Sequence, residues 1–266
     1  MKKTIYIDAG HGGRDPGAVY GTLRESALTL KVALAAAAYL KEYDCVTVLS
    51  RTADTDTRIN TMAATAKSLK AAAVVSIHHN AGGGRGGEAF YWHTHAPSKA
   101  LAEETVRQFA AVGQRLRGVK PTSPDSRNFG MCRINAGNGI PAILGEFAFI
   151  DNAADRAMID TDEKLTAQGH AYAKAIVAYL KLKKTTPVPA AVHAGDKLAL
   201  LNTPLYISST AKQRSRTVNG TYWVYDGIDV RGRLRITNRA AFVGKPPAGN
   251  FVTGWVDKGE VLGGRH

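Results

Sequence analysis

The stretch that decides the fold is Thr4–Val19, TIYIDAGHGGRDPGAV. Its opening residues, 4–7, are β-branched or aromatic and predict a strand. The chain then breaks into glycines at positions 10, 12, 13 and 17, with His11 at the break. A histidine at this point lies at the open edge of a sheet, where α/β folds commonly bind ligands. A single loop histidine is more often an ordinary surface residue, so His11 needs a second observation beside it.

A second strand of the same kind provides that observation. Val74–Asn80, VVSIHHN, is apolar, contains two histidines near its end, and precedes a glycine cluster at residues 82–87. Two strands that each bring an imidazole to their end are consistent with a pair of metal ligands.

Strand-like and helical patterns alternate through the first two-thirds of the chain. Helices are predicted over residues 26–43, 58–70, 98–117 and 162–183, and strands over residues 4–7, 45–49, 72–79, 88–93, 131–134 and 142–150. Ser26 is the predicted N-cap of the first helix, and residues 118–130 are predicted to be a loop. This alternation predicts an α/β fold, with a mixed twisted sheet flanked by helices.

The pattern changes after residue 183. The segment KKTTPVPAAV predicts a semi-rigid linker. Beyond it only short strand-like runs occur, separated by turn signals such as Asn219-Gly220 and Asp226-Gly227. We therefore expect three parts: a catalytic domain over residues 1–182, a linker over 183–194 and a small all-β, barrel-like domain over 195–266.

The charge of the chain indicates an anionic partner. Its formal net charge is +13 and its pI is about 9.8. Nucleic acid, a membrane surface or an acidic polymer of a bacterial wall would each fit. No arginine-rich arm occurs, which disfavours a dedicated nucleic-acid binder, and no stretch is long and apolar enough for membrane insertion. The N-terminal apolar run is too short for a signal peptide, so we expect cytoplasmic synthesis and another route to any external target.

Glu146 is the most informative acidic residue. It lies within the apolar run AILGEFAFI, where a carboxylate is costly to bury unless it is paired, bound to a metal or used in chemistry. A buried acid that bonds the backbone or an arginine is the alternative. Together with His11, Glu25 and His78, it completes the residue types of a catalytic zinc site: three ligands and a separate acid.

Five motifs in register carry a family resemblance: IDAGHGGRDPGA, LRES, VLSRTAD, VVSIHHNA and PAILGEFAFIDN. They resemble the zinc-dependent N-acetylmuramoyl-L-alanine amidases of the Amidase_3 type, over about residues 1–182. The resemblance implies zinc ligands at His11, Glu25 and His78, with Glu146 as the catalytic acid/base. It also implies that the substrate is bacterial peptidoglycan and that the bond cleaved is the amide between N-acetylmuramic acid and L-alanine.

The chain departs from the family pattern beside one ligand. The family commonly has SIHAN where this chain has SIHHN, so His79 competes with His78. Successive strand residues point to opposite faces, and we assign His78 by its motif position. The last strand reads GEFAF where VELGF is common, which changes the packing around Glu146 and keeps the acid.

Four further residues have open roles. Asp8 orients a ligand or stabilises the turn. His93 and His95 form an accessory metal pair or a surface rim. Arg133, on a predicted strand, binds a substrate carboxylate or amide, or forms a surface salt bridge.

The C-terminal part alternates aromatic residues with arginines, which suits stacking on glycans and binding of an anionic wall polymer. It resembles an SH3-like bacterial cell-wall-binding domain. An amidase joined to such a domain without a signal peptide resembles a phage endolysin that acts on the wall after release. The alternatives are a host autolysin, a non-catalytic wall-binding protein, a nucleic-acid binder and a different zinc peptidase such as a carboxypeptidase.

Overall fold

The computed structural model describes residues 2–185 and 192–262, which belong to two compact units, Met1–Thr185 and Thr186–His266. The boundary lies inside the predicted linker, of which residues 186–191 lie outside the described part of the chain. Among the described residues, no helix is long and apolar enough to cross a membrane.

The described residues of the first unit form eight strands and six helices. The strands are β1 (Lys3–Ala9), β2 (Val19–Tyr20), β3 (Leu23–Arg24), β4 (Cys45–Leu49), β5 (Ala73–Asn80), β6 (Gly87–Trp92), β7 (Leu116–Thr122) and β8 (Ala142–Phe149). The helices are α1 (Glu25–Leu40), α2 (Ile59–Ser68), α3 (Ala96–Ala111), α4 (Gly130–Gly137), α5 (Ala153–Arg156) and α6 (Asp162–Leu180).

Six of the strands form one sheet in the order β4-β1-β5-β8-β6-β7. Neighbouring strands are parallel except for β6 and β8, which are antiparallel. The predicted mixed sheet flanked by helices is therefore confirmed. Parallel strands β1, β5 and β8 lie side by side in the middle, so their C-terminal ends meet at one edge.

Side chains of the three central strands alternate between two apolar layers. On one face, aliphatic residues such as Ile7, Ile77 and Ile143 pack with α1, α3 and α6. On the other face, Tyr6 and Val74 pack with α2 and α4. Two neighbouring residues at the end of a strand therefore place their side chains in different layers.

Helix α1 has its N-cap two residues before the predicted cap, Ser26. Its N-cap residue is Arg24, which makes no side-chain capping bond. The carbonyl oxygens of Ala18 and Pro16 accept hydrogen bonds from the N–H groups of Glu25 and Ser26. Because the preceding loop already satisfies these N–H groups, a side-chain cap is unnecessary. Glu25 becomes the first helical residue.

The predicted strand over residues 131–134 is wrong, because this segment is part of helix α4. Its buried residues are Met131, Cys132, Asn135 and Ala136, which share one face of a helix. An apolar run of four residues cannot by itself distinguish strand from helix. The predicted loop 118–130 is also shorter, because β7 continues to Thr122, and α3 ends at Ala111 to leave room for it.

The second unit contains an antiparallel sheet and short helices. The strands are β9 (Lys197–Leu205), β10 (Arg216–Val230), β11 (Arg233–Thr237) and β12 (Gly254–Asp257), in the order β12-β11-β10-β9. A 3-10 turn spans Ala240–Phe242, and two short helices follow, α7 (Ala248–Phe251) and α8 (Lys258–Leu262). A bridge between Tyr206 and Trp255 links the chain after β9 to β12 and partly closes the sheet.

The two predicted turns of this unit lie inside β10. Asn219-Gly220 falls where the pairing of β10 with β9 shifts register, and Asp226-Gly227 falls where the pairing with β11 shifts. Glycines with positive φ, here Gly220 and Gly227, serve bulges as well as turns. Both dipeptides therefore mark irregularities in the backbone, but these lie within one long strand and do not end it.

Candidate metal centre

His11 follows the end of β1 in a left-handed backbone conformation, with φ of 62°. This conformation is uncommon for residues other than glycine and is often found at functional sites. It turns the imidazole toward the first residue of α1, where His11 Nε2 lies 3.1 Å from Glu25 Oε2. The other ring nitrogen, Nδ1, lies 2.8 Å from Asp15 Oδ2.

Glu25 is buried at the start of α1 and links the two histidine strands. Its Oε1 lies 3.0 Å from His78 Nδ1 and accepts a hydrogen bond from the backbone N–H of His79. Its Oε2 accepts a hydrogen bond from the backbone N–H of Ala18. Backbone donors thus fix both oxygens of the carboxylate.

His78 enters the site from β5, against the backbone of the first loop. A Cβ atom added to Gly10 would lie 2.4 Å from the His78 ring, so a glycine is required there. One ligand atom from each of His11, Glu25 and His78 lies within 4.8 Å of the others. This trio could hold a single metal ion, and the structure thus brings all three predicted ligands together.

The electrostatics of the trio favour positive charge. Burial opposes ionisation of Glu25, yet hydrogen bonds with His11 and His78 outweigh it and hold the pKa of Glu25 well below its usual value. Burial lowers the pKa of His11, but its hydrogen bond with Glu25 is part of a net rise to about 9. Burial lowers the pKa of His78, but the hydrogen bond with Glu25 and the charges of Glu146, Glu25 and Asp8 together produce a net rise. A carboxylate that stabilises protons on two imidazoles would stabilise a cation between them.

Glu146 lies beside the trio on β8, where it is the strand partner of His78. Its Oε2 is enclosed and has no hydrogen-bond partner among the described residues. Burial, reinforced by the charges of Glu25 and Glu88, raises the pKa of Glu146 to about 7. The pairing of β5 with β8 shifts register just beyond this point, and such bulges are frequent next to active sites. A carboxyl group with a pKa near neutrality can exchange protons at physiological pH.

The trio and Glu146 line one cavity of about 800 Å³. Its polar wall includes Arg14 from the loop after β1, and Asp56 and Arg58 from the loop before α2. Its apolar wall comes from α2, α4 and β8, and is formed by Ile59, Met62, Phe129, Met131 and Leu144. The volume is sufficient for a substrate with both polar and apolar groups.

His79 points away from the trio, into the layer beneath α6. It is 2% exposed, and its Nε2 lies 3.1 Å from Gln168 Oε1. Burial lowers the pKa of His79 to about 4, so the ring is neutral near neutral pH. Because successive residues of β5 point to opposite faces, His78 faces the trio and His79 faces the other layer, as expected.

The residue that orients His11 is Asp15, and sequence reasoning missed it. Asp8 instead accepts a hydrogen bond of 2.5 Å from Ser76 Oγ, and its Oδ1 has no partner among the described residues. Asp15 lies four residues after His11 within the same glycine loop and precedes Pro16. That spacing across a tight loop was the available signal.

The remaining candidates lie outside the cavity. His93 is exposed beside Trp92, and His95 Nδ1 lies 2.7 Å from Ser98 Oγ at the start of α3. Neither histidine belongs to a metal-type cluster among the described residues. Arg133 lies on α4 and donates a hydrogen bond from Nε to Asn128 Oδ1.

Fold and site together define the first unit as an α/β enzyme domain with a candidate metal centre. A family model, Amidase_3: N-acetylmuramoyl-L-alanine amidase, matches residues 5–178. The chain belongs to this family.

Individual proteins agree with the family match. The sporulation-specific N-acetylmuramoyl-L-alanine amidase of Bacillus subtilis (strain 168) is 34% identical over 186 residues, which cover 68% of this chain and 70% of that protein. The catalytic domain of CwlV, an amidase from Bacillus (Paenibacillus) polymyxa var. colistinus, matches with a TM-score of 0.61 and 31% identity, over 68% of this chain and 99% of that domain.

One relative extends further along the chain. The endolysin of Bacillus phage SPP1 is 28% identical over 239 residues, which cover 88% of this chain and 84% of that protein. A match of this length cannot be contained in the first unit alone, so it includes part of the second.

Proposed function

We propose that the protein is a zinc-dependent N-acetylmuramoyl-L-alanine amidase. It would hydrolyse the amide bond between the lactyl group of N-acetylmuramic acid and L-alanine in bacterial peptidoglycan. The observation that carries the proposal is the convergence of three ligand-type atoms within 4.8 Å, beside a carboxylate with an unpartnered oxygen. Membership of the Amidase_3 family supports the choice of bond.

The donor set fits zinc. Two imidazoles and one carboxylate are the ligand types of a catalytic zinc site that leaves a fourth position open, whereas calcium and magnesium prefer oxygen ligands alone. The hydrogen bond of His11 to Asp15 is of the kind that orients a zinc-bound histidine. The chemistry that zinc supplies in such a site is Lewis acidity, which polarises a carbonyl and lowers the pKa of water.

Glu146 performs the proton transfers in this proposal. Its carboxylate accepts the proton of the attacking water, and the resulting acid then donates a proton to the departing nitrogen of alanine. A pKa of about 7 suits both steps, since the group must be ionised for the first step and protonated for the second. His11, Glu25 and His78 would hold the metal throughout.

The two units would divide the work, with residues 1–182 as the catalytic domain and residues 195–266 as a wall-binding domain. The second unit has eleven lysines and arginines against five aspartates and glutamates, which suits an anionic wall polymer. We infer an SH3-like role for it from its partly closed antiparallel sheet. The SPP1 match favours a phage endolysin that acts on the wall after release, and a host autolysin is the alternative.

Mass analysis of digested peptidoglycan tests the proposal. The expected products are peptides with a new N-terminal alanine and glycans that keep their lactyl groups. A chelator should abolish their formation and added zinc should restore it. Cleavage inside the peptide would instead indicate a zinc peptidase, and sedimentation with walls without new ends would indicate a non-catalytic wall-binding protein. Either result would overturn the proposal.

A further inference from the structure

Arg51, two residues after the end of β4, is a buried cation that the proposed chemistry does not use. It is 4% exposed and forms no ion pair with any described carboxylate. Its guanidinium group donates hydrogen bonds to four backbone carbonyl oxygens and one hydroxyl. A buried charge satisfied almost wholly by carbonyls is unusual, because such charges are normally paired. The position of those carbonyls is therefore informative.

Two of the carbonyls directly precede His11. Arg51 Nε donates to Ala9 O at 2.9 Å, and Nη2 donates to Gly10 O at 3.1 Å. On the other side of His11, a Cβ atom added to Gly12 would lie 2.8 Å from Arg51 Nε, so the backbone there packs against the guanidinium group. Arg51 thus contacts the chain on both sides of the first ligand.

A third carbonyl directly follows Glu25. Arg51 Nη2 donates to Ser26 O at 2.7 Å and to Thr29 Oγ1 at 3.1 Å. Thr29 Oγ1 in turn donates to Gly10 O at 2.7 Å. One side chain therefore joins the first turn of α1 to the loop that carries His11.

The backbone of His11 needs such support. Its φ of 62° is unfavourable for a residue with a Cβ atom and persists only where the surroundings enforce it. The planar fork of an arginine can hold several acceptors in fixed directions, which a lysine cannot do.

We propose that Arg51 is a positioning residue that sets the spacing between His11 and Glu25 and thereby the zinc affinity of the site. The inference rests on the proposed zinc centre. The hydrogen bonds of Arg51 to carbonyl oxygens also explain why this cation is tolerated near a metal site, because its guanidinium group is directed at those oxygens.

Zinc affinities of variants of the 266-residue chain, measured by competition with a chromophoric chelator, test this inference. Arg51→Met keeps the length of the side chain and removes the donors, and should weaken zinc binding ~10- to 100-fold, the usual effect of losing a residue that supports a ligand. Arg51→Lys keeps the charge without the fork and should fall between Arg51→Met and the unaltered chain. Arg107→Met, which removes an exposed cation paired with Glu104 on α3, should bind zinc normally.

A stability control separates positioning from general loss of structure. Ile176→Val removes a buried methylene from α6, far from the loop in sequence, and should lower the unfolding midpoint without changing zinc affinity. Near-UV circular dichroism reports folding, and Arg51→Lys decides the matter if Arg51→Met does not fold. Unchanged or tighter zinc binding by Arg51→Lys and by folded Arg51→Met would overturn the inference. Absence of zinc binding by the unaltered chain would overturn the proposed function instead.

Discussion

Glu25 is the residue that brings the two histidines together, because each of its oxygens contacts one imidazole and one backbone N–H group. The backbone donors keep the carboxylate in place whether or not the imidazoles carry protons. Its depressed pKa keeps this carboxylate ionised at neutral pH.

The roles of Glu146 and the trio can be separated by substitution. Glu146→Gln keeps the size of the side chain and removes its basicity, so we expect full zinc content and a rate lower by ~100- to 10,000-fold. His11→Ala and His78→Ala should lose both zinc and activity. Zinc content is measured by elemental analysis and rate by release of alanine N-termini. Full activity in Glu146→Gln would refute the proton-transfer role.

The two adjacent histidines offer a matched pair. His78→Gln should abolish zinc binding, whereas His79→Gln should keep it. The second variant disturbs the contact with Gln168 and should destabilise the fold by about 1–3 kcal/mol, the cost of a buried polar group left without its partner. Zinc titration and chemical unfolding of both variants measure these effects. Loss of zinc from a folded His79→Gln would contradict the assignment of His78.

At the scale of elements, the site depends on how strands end. Parallel strands β1, β5 and β8 bring residues from distant segments to one edge, and side-chain parity selects which of them face the cavity. The strand positions of His78 and Glu146 could be predicted from the sequence, because each residue lies in a contiguous apolar run that is recognisable as a strand. The alternation of side chains along a strand also correctly predicted that His79 points away from His11 and Glu25.

Other features could not be predicted in the same way. Helix α4 was misread because MCRI is too short to reveal a period. Asp15 was missed although it lies only four residues after His11, because the tight turn that brings the two side chains together is not evident from that spacing alone. Arg51 was missed because its role depends on contacts with residues distant in the sequence. Arg51 donates hydrogen bonds to backbone carbonyl oxygens in three separate segments. Every residue has such an oxygen, so residue types alone do not show which ones Arg51 contacts.

The glycine loop between β1 and α1 provides a test at this scale. Gly17 and Gly21 both have positive φ, but a Cβ atom on Gly17 would lie 2.6 Å from both Glu25 Oε2 and His11 Cδ2, whereas one on Gly21 meets nothing within 4 Å. Both alanine variants should lose about 1–2 kcal/mol of stability from backbone strain. Only Gly17→Ala should also weaken zinc binding. Equal zinc affinities would show that the loop does not hold the ligands.

At the scale of the whole molecule, a positive charge of +13 accompanies an active-site cavity and a second basic unit. The second unit has its own cavity of about 590 Å³, whose lining includes Tyr206, Arg216, Arg235 and Trp255. The guanidinium group of Arg235 lies 5.3 Å from the Trp255 ring and is ion-paired with Asp226. Arg216 is exposed at this cavity and is suited to contact an anionic polymer.

Reversal of the Arg216 charge tests wall attachment of the 266-residue chain. Arg216→Glu should reduce sedimentation with purified cell walls several-fold, because it places a negative charge in the cavity. Arg214→Glu makes the same change in net charge at an exposed residue outside the cavity lining, and should have a smaller effect. Product formation from soluble fragments should be the same for both variants. Equal effects on sedimentation would show that net charge, and not this cavity, governs attachment.

The most direct test of the proposed zinc centre is an anomalous diffraction measurement at the zinc edge, on crystals of the 266-residue chain grown with zinc. We predict one strong anomalous peak in the first unit, coordinated by His11, Glu25 and His78, with Glu146 beside it and not among the ligands. A first unit without such a peak, or a peak held by other residues, would contradict the account.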